Sequence, residues 1–123
     1  MLTAFGKIVR KLRIDREETL GQMALNLGRS PTFLTAVETG RKPVPDDYLN
    51  EVMTYFGLSQ SERDQLRHSA EVSRPSVKFN LPVGTPTEQR AFLALLEKHL
   101  GNLNKDEVAK MMQVLDQKET GTA

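Results

Sequence analysis

The sequence contains no cysteine and only two histidines. Without cysteine the chain can form no disulfide, no thiolate nucleophile and no cysteine-based metal site. His68 and His99 are single and far apart, so neither has the spacing of metal ligands or of a catalytic triad. We therefore expect no metal, no cofactor and no enzymatic activity.

Long apolar runs are also missing. The longest are only a few residues, whereas a membrane-spanning helix needs about 20 consecutive apolar residues. The first residues do not have the pattern of a secretory signal peptide. The chain is therefore expected to be cytoplasmic, with no membrane partner. The absence of cysteine is compatible with a reducing compartment.

What the sequence does contain is an uneven distribution of charge. Its 123 residues are 38% hydrophobic and 27% charged, the composition of an ordinary folded protein, with a formal net charge of +1. Residues 1–45 carry eight basic and four acidic side chains, and the remaining residues carry nine basic and twelve acidic ones. A basic third of this kind is typical of a surface that faces a polyanion. Chance clustering on a solvated helix would give the same counts, so charge alone does not decide.

Capping motifs and apolar periodicity predict five short helices in the first 73 residues. Thr19 with Gln22, and Ser59 with Glu62, have the spacing of capping boxes, and Ser30 stands before a proline as a helix N-cap does. Glycines follow the second, third and fourth helices, where a left-handed residue ends a helix well. The predicted helices cover about residues 3–16, 19–27, 30–39, 46–56 and 59–73.

The last part of the chain has a different pattern. An Arg-Pro pair ends the fifth helix, and residues 76–81 alternate polar and apolar side chains as a strand does. Capping boxes that begin at Thr85 and Asn104 predict helices at 86–100 and 104–116. Residues 118–123 are expected to fray.

The predicted fold class is therefore all-α, with five helices followed by one short strand and two C-terminal helices. We divide the chain into a domain at 1–58, a connecting helix at 59–75 and a further region at 76–123.

The second and third helices form a unit of their own. Both are short, and the turn that joins them contains Gly28, which is the sequence form of a helix-turn-helix. Over residues 19–24 and 27–43 the chain resembles the Xre family, the Cro and phage-repressor type of regulator, and the resemblance extends over about residues 5–58. It implies a five-helix domain that binds operator DNA, usually as a dimer, with the third helix in the major groove.

The resemblance also implies roles for individual residues. Those at base-reading positions are Pro31, Thr32, Thr35 and Ala36, with Arg29 as the one long donor nearby. Those at positions for phosphate contacts are Thr19, Ser30, Thr39, Arg41 and Lys42, and helix 1 adds the charges of Lys7, Arg10 and Lys11. Leu20 stands where the family often has a glutamine, so the phosphate contact there must come from backbone N–H groups or from Thr19. Arg13 and Glu38 occupy the positions of a partly buried ion pair. The threonines could instead be ordinary exposed helix residues, and Arg41 with Lys42 a solvated loop.

The predicted strand raises the question of its partner, since a lone strand cannot satisfy its own backbone hydrogen bonds. We expect residues 76–81 to pair antiparallel with the same segment of a second chain, while the two C-terminal helices pack over them. The side chains expected in this homodimer interface are Val77, Phe79, Leu81, Phe92, Leu96 and Met112. An intrachain hairpin is the alternative, but no partner strand is visible in the sequence.

Three functions are compatible with these patterns. The first is a dimeric repressor or autoregulator of a phage or mobile element, binding double-stranded operator DNA, sometimes beside a protease partner. The second is an antitoxin, whose C-terminal region binds a toxin while the N-terminal domain represses the operon. The third is a protein-interaction module that has kept the fold and lost DNA binding.

Overall fold

Seven α-helices make up most of the computed structural model, which describes residues 1–120. They are α1 (Ala4–Asp15), α2 (Leu20–Leu27), α3 (Pro31–Glu38), α4 (Asp46–Tyr55), α5 (Gln60–Val72), α6 (Thr87–His99) and α7 (Lys105–Thr120). A short 3₁₀ turn, Leu100–Asn102, follows α6. None of the described helices is long and apolar enough to cross a membrane. The chain divides into two compact units, residues 1–78 and the region that begins at Phe79.

The first unit buries one face of each of its five helices in a common core. The buried apolar side chains are Phe5, Val9, Met23, Ala24, Leu34, Val37, Tyr48, Val52, Met53, Leu58, Leu66 and Ala70. The Tyr48 ring meets two other rings edge to face, Phe33 at 5.1 Å and Phe5 at 6.4 Å between centroids. Burying each large side chain contributes about 1.5–3 kcal/mol, so this core fixes which face of every helix points outward.

Four consecutive helices end in the same way, at a residue with a positive φ. These residues are Glu17 after α1, Gly28 after α2, Gly40 after α3 and Gly57 after α4. At Gly28 φ is 68°, and the N–H of the next residue donates to the Ala24 carbonyl at 2.9 Å. At Glu17 φ is 55°, and the N–H of the next residue donates to the Arg13 carbonyl, also at 2.9 Å. Each is a Schellman motif, which favours glycine because a Cβ is strained at this φ.

Helix α1 approaches the end of α3 without any side chain between the two backbones. A Cβ on Gly6 would lie 2.2 Å from the carbonyl oxygen of Glu38, far inside van der Waals contact. That oxygen accepts hydrogen bonds from the Thr3 N–H at 3.0 Å and the Thr3 hydroxyl at 3.1 Å. Glycine at position 6 is therefore a packing requirement.

The end of α5 closes back on the start of α1. The N–H of Phe5 donates to Ser73 Oγ at 3.2 Å, and that hydroxyl donates to the Ser69 carbonyl at 2.6 Å. The end of α5 is thus joined to α1 by a hydrogen bond, in addition to the packing of its core side chains Leu66 and Ala70.

The second unit has no comparable core. Within its described residues no side chain is fully buried, and the half-buried apolar ones are Leu93, Leu96, Leu103 and Val108. The loop that precedes α6 is held to that helix by Arg90, whose Nη2 donates to the Pro82 carbonyl at 2.9 Å.

The predicted strand at 76–81 is wrong: no strand is found in residues 1–120, and this segment is irregular. Val77 and Phe79 remain 57% and 63% exposed. An alternating pattern places side chains on two faces, but a strand also needs a ladder of hydrogen bonds to a partner, and the described chain supplies none.

Two predicted helix ends also differ from the structure. The capping box at Thr85 does not form, since Pro86 is the N-cap of α6 and no side chain caps that helix, whereas the box at Asn104 does form with Glu107. Helix α7 continues to Thr120, so the expected fraying is wrong for residues 118–120, and residues 121–123 lie outside the described chain.

Candidate nucleic-acid interface

The two helices of the predicted helix-turn-helix begin at capped residues. Thr19 and Gln22 form a full capping box, because the Thr19 N–H donates to Gln22 Oε1 at 2.8 Å and the Gln22 N–H to Thr19 Oγ1 at 3.1 Å. Ser30 caps α3 by accepting the N–H of Phe33 at 3.1 Å. Both hydroxyls act here as acceptors and neither donates to another group in residues 1–120, so each O–H group can donate to a phosphate oxygen.

Helix α3 has one buried face and one exposed face. Leu34 and Val37 are buried in the core, while Pro31, Thr32 and Thr35 are exposed. We call these three the outward α3 face. Ring packing of Phe33 on Tyr48 and burial of the core face hold the helix so that this surface stays free.

Two further residues with predicted roles, one in α3 and one at its C-cap, are more enclosed. Ala36 is half-buried, and its carbonyl accepts the N–H groups of Arg41 at 2.9 Å and Lys42 at 3.2 Å. Thr39 is also half-buried, and its hydroxyl donates to the Thr35 carbonyl at 2.7 Å. Those bonds fold the loop after α3 back on the end of the helix.

That loop presents two cations to solvent. The side chains of Arg41 and Lys42 are exposed, and neither forms an ion pair in residues 1–120. Lys42 Nζ lies 6.0 Å from the centre of the Phe33 ring, which brings this charge close to α3. The outward α3 face therefore has unpaired positive charge at its C-terminal end.

Arg29 is placed differently from these two cations. Its Nη2 lies 2.7 Å from Glu51 Oε2 and 3.3 Å from Asp47 Oδ2, both on α4. Its guanidinium also lies over the Phe33 ring at 4.9 Å, and the hydrogen bond to Glu51 raises the pKa of Arg29. The side chain would have to leave both carboxylates before it could read a base, so the structure connects it to α4.

Arg13 and Glu38 lie in contact across α1 and α3. Two hydrogen bonds join them, Nη1 to Oε2 at 2.6 Å and Nη2 to Oε1 at 2.9 Å, and the two side chains are only 6% and 2% exposed. Arg13 Nη1 also contacts the sulfur of Met23 at 3.5 Å. A bidentate pair at this depth holds the helix that carries the outward α3 face.

The six side chains predicted for a dimer interface are all at least partly accessible. Val77, Phe79, Leu81, Phe92 and Met112 are exposed, and Leu96 is half-buried. The two histidines show no grouping with other ligands: no set of three or more candidate metal ligands is found in residues 1–120.

Several contacts around the candidate site have no sequence pattern that could have predicted them. The Tyr55 hydroxyl accepts from Asn26 at 3.0 Å and donates to Glu18, and Arg16 lies over the ring at 5.2 Å. Glu18 and Tyr55 are 37 residues apart. Only the folded chain brings them together.

Comparison with known families supplies one match. A family model described as a helix-turn-helix domain matches residues 4–66, which run from the first residue of α1 into α5. No curated protein and no solved structure gives a significant match to the chain.

Proposed function

We propose that this chain, which belongs to the helix-turn-helix domain family and is a DNA-binding transcription regulator, is a dimeric repressor of Xre type. Its target would be double-stranded operator DNA, and its own promoter the first candidate. A phage or another mobile element is the proposed origin.

The outward α3 face carries the proposal. Thr32 and Thr35 are exposed on a helix whose opposite side is buried, and unpaired Arg41 and Lys42 follow at its end. Threonine can donate to or accept from a base edge, and its methyl group can contact the methyl of thymine. The neighbouring cations would anchor the helix through backbone phosphates, which supply most of the affinity without selecting sequence.

Short side chains on this face set a limit on direct readout. Pro31, and the half-buried Ala36 beside this face, offer only van der Waals contact, and Arg29 is bound to α4. We therefore propose that part of the sequence preference comes from DNA shape, which helps when few bidentate contacts are available.

Dimerisation through the second unit is the finer part of the proposal. Up to residue 120 the second unit has no fully buried side chain, which leaves large apolar groups in water, among them Phe92 at 53% and Met112 at 55% exposure. Packing these side chains against a second copy would remove the unfavourable exposure of apolar surface to water. It would also place two α3 helices on one duplex, about one DNA turn apart. The same exposed groups favour one alternative, an antitoxin in which a toxin covers them.

Selection from genomic fragments with the purified full chain tests DNA binding. Recovered fragments should share one motif, and a duplex with that motif should bind more tightly than a scrambled one in fluorescence anisotropy at equal salt. If no duplex binds at low ionic strength, the chain has kept the fold without the function.

Sedimentation tests the assembly. The chain mass is 13.8 kDa, and twice this value is expected at micromolar concentration, falling to the monomer mass in a Phe92→Ser, Met112→Ser variant. A wild-type monomer that forms a complex with a small partner encoded beside it would favour the antitoxin.

A further inference from the structure

A small cavity of about 230 Å³ opens between α1, α2 and α3. Thr35 of α3 and Thr39 at its C-cap line it, with Leu20 from the first turn of α2 and Arg10 from α1. The cavity therefore adjoins the outward α3 face, through Thr35, which belongs to both.

The charge at this cavity is positive. Its wall includes Arg13 and Glu38, but these neutralise each other in a buried bidentate pair. The side chain of Arg10 is exposed and forms no hydrogen bond and no ion pair within residues 1–120. One unit of positive charge is thus uncompensated beside Thr35.

Besides Arg41 in the loop after α3, Arg10 and Arg29 also lie close to the outward α3 face, and of these two only Arg10 is free of carboxylate partners in the described chain. The guanidinium of Arg29 is bound to Glu51 and Asp47 and stacked on an aromatic ring. Arg10 has none of these contacts. A free guanidinium has a rigid fork of donors that suits the oxygens of a phosphate.

We infer that Arg10 is a DNA-contacting residue that binds a backbone phosphate beside the base contacted by Thr35. This inference rests on the proposed DNA binding and extends it to a residue of α1. The contact adds affinity and fixes the depth of α3 in the groove, and it selects no sequence, since phosphates are the same at every step.

The first experiment compares Arg10→Ala with the wild-type chain on the selected duplex from about 50 to 200 mM salt. Loss of one phosphate contact should reduce the slope of log Kd against log salt by about one and weaken binding roughly tenfold. The melting temperature should not change, because the side chain is exposed and unpaired. Arg10→Lys should restore most of the slope.

Lys11→Ala is the matched control. It removes the same charge from the next residue of α1, which is also exposed but does not line the cavity. Its effect on the slope should be clearly smaller than that of Arg10→Ala. Equal effects would mean that general charge on α1 is responsible, and the inference would be overturned.

A second experiment locates the contact on the DNA. Single phosphates of the duplex are replaced by neutral methylphosphonates. At one position the replacement should weaken binding by the wild type, whereas Arg10→Ala should bind the modified and the unmodified duplex equally. If the two proteins respond alike at every position, or if Arg10→Ala shifts base preference, Arg10 does not act through a phosphate.

A wild-type chain that binds no duplex would end the proposed function and this inference together, whereas an unchanged Arg10→Ala variant of a binding wild type ends the inference alone.

Discussion

The backbone of Gly6 lies directly against the carbonyl group of Glu38, with the position of an added Cβ only 2.2 Å from its oxygen. This contact joins α1 to the C-terminal end of α3 and therefore to the helix that carries the candidate DNA-reading residues. A methyl group here would meet backbone atoms, which cannot turn aside as the end of a side chain can.

Gly6→Ala should accordingly destabilise the first unit by about 3 kcal/mol or more, at the upper end of overpacking effects. Urea denaturation followed by circular dichroism measures the change. Gly21→Ala serves as control, since its nearest neighbour would be the Thr19 hydroxyl oxygen at 4.0 Å and alanine favours a helix over glycine by up to about 1 kcal/mol. Equal stability of the Gly6→Ala variant and the wild type would disprove the close approach.

Glu17 is the non-glycine residue among the four helix ends with positive φ. A substitution at this position should therefore be able to increase the stability of the protein. Glu17→Gly is expected to raise the free energy of unfolding by about 0.5–1 kcal/mol, because relief of the strained φ outweighs the extra freedom of glycine in the unfolded chain. Gly28→Ala should have the opposite effect, since it places a Cβ at φ 68°. Denaturation midpoints of both variants test the pair, and a less stable Glu17→Gly variant would contradict the expectation.

Tyr48 is fully buried, and its hydroxyl has no hydrogen-bond partner among residues 1–120. An unsatisfied buried hydroxyl lowers stability, so Tyr48→Phe should unfold at a higher temperature, with a gain of about 1 kcal/mol in the free energy of unfolding. Val52→Ala, at another fully buried position of α4, should instead cost about 2 kcal/mol or more. A Tyr48→Phe variant that melts well below the wild type would show that the hydroxyl is stabilised.

Burial also raises the pKa of Tyr48 well above its ordinary value of 10.0. Below pH 10 this has no effect on stability, because the group is protonated in both states. Above pH 10 the unfolded chain releases the proton and the folded chain keeps it, so the wild type should lose up to about 1.4 kcal/mol per pH unit from this group. Comparison with Tyr48→Phe at pH 9 and pH 11 isolates the loss.

Arg29→Ala should lower the melting temperature and weaken DNA binding equally for all sequences, because it releases α4 from the turn before α3. Glu51→Gln removes one of the two negative charges that hold Arg29 and should act in the same direction with a smaller effect. If Arg29→Ala changes the preferred bases while Glu51→Gln does not, Arg29 reads a base after all.

Substitutions on the outward α3 face and substitutions in the following loop should have different effects on DNA binding. Replacing Arg41 and Lys42 by alanine should weaken binding to every duplex and flatten the salt slope by about one unit for each lost phosphate contact. Thr32→Ala and Thr35→Ala should instead alter which bases are preferred, at an unchanged slope. Binding-site selection with each variant tests this division, which is wrong if both sets behave alike.

Local patterns were sufficient to predict the helices of the first unit. Capping boxes at Thr19 and Ser59 form with the partners that their spacing requires, and Gly28 ends α2 as a left-handed residue. These features depend on neighbours within five residues, so the sequence contains everything that determines them.

Long-range contacts could not be predicted in the same way. The requirement for glycine at position 6 depends on a carbonyl 32 residues away, and the binding of Arg29 by Glu51 spans 22. The strand at 76–81 failed for a related reason. Alternation of side chains describes one strand, while the existence of a sheet depends on a second one.

Ser73 has a practical consequence for anyone shortening this protein. The family match stops at residue 66, yet α5 runs on to Val72, and the amide of Phe5 donates to the hydroxyl just beyond it. A fragment trimmed to the matched boundary would forfeit the last turn and a half of that helix along with this closing bond. Expression of the isolated domain should therefore use a stop codon placed after Lys78.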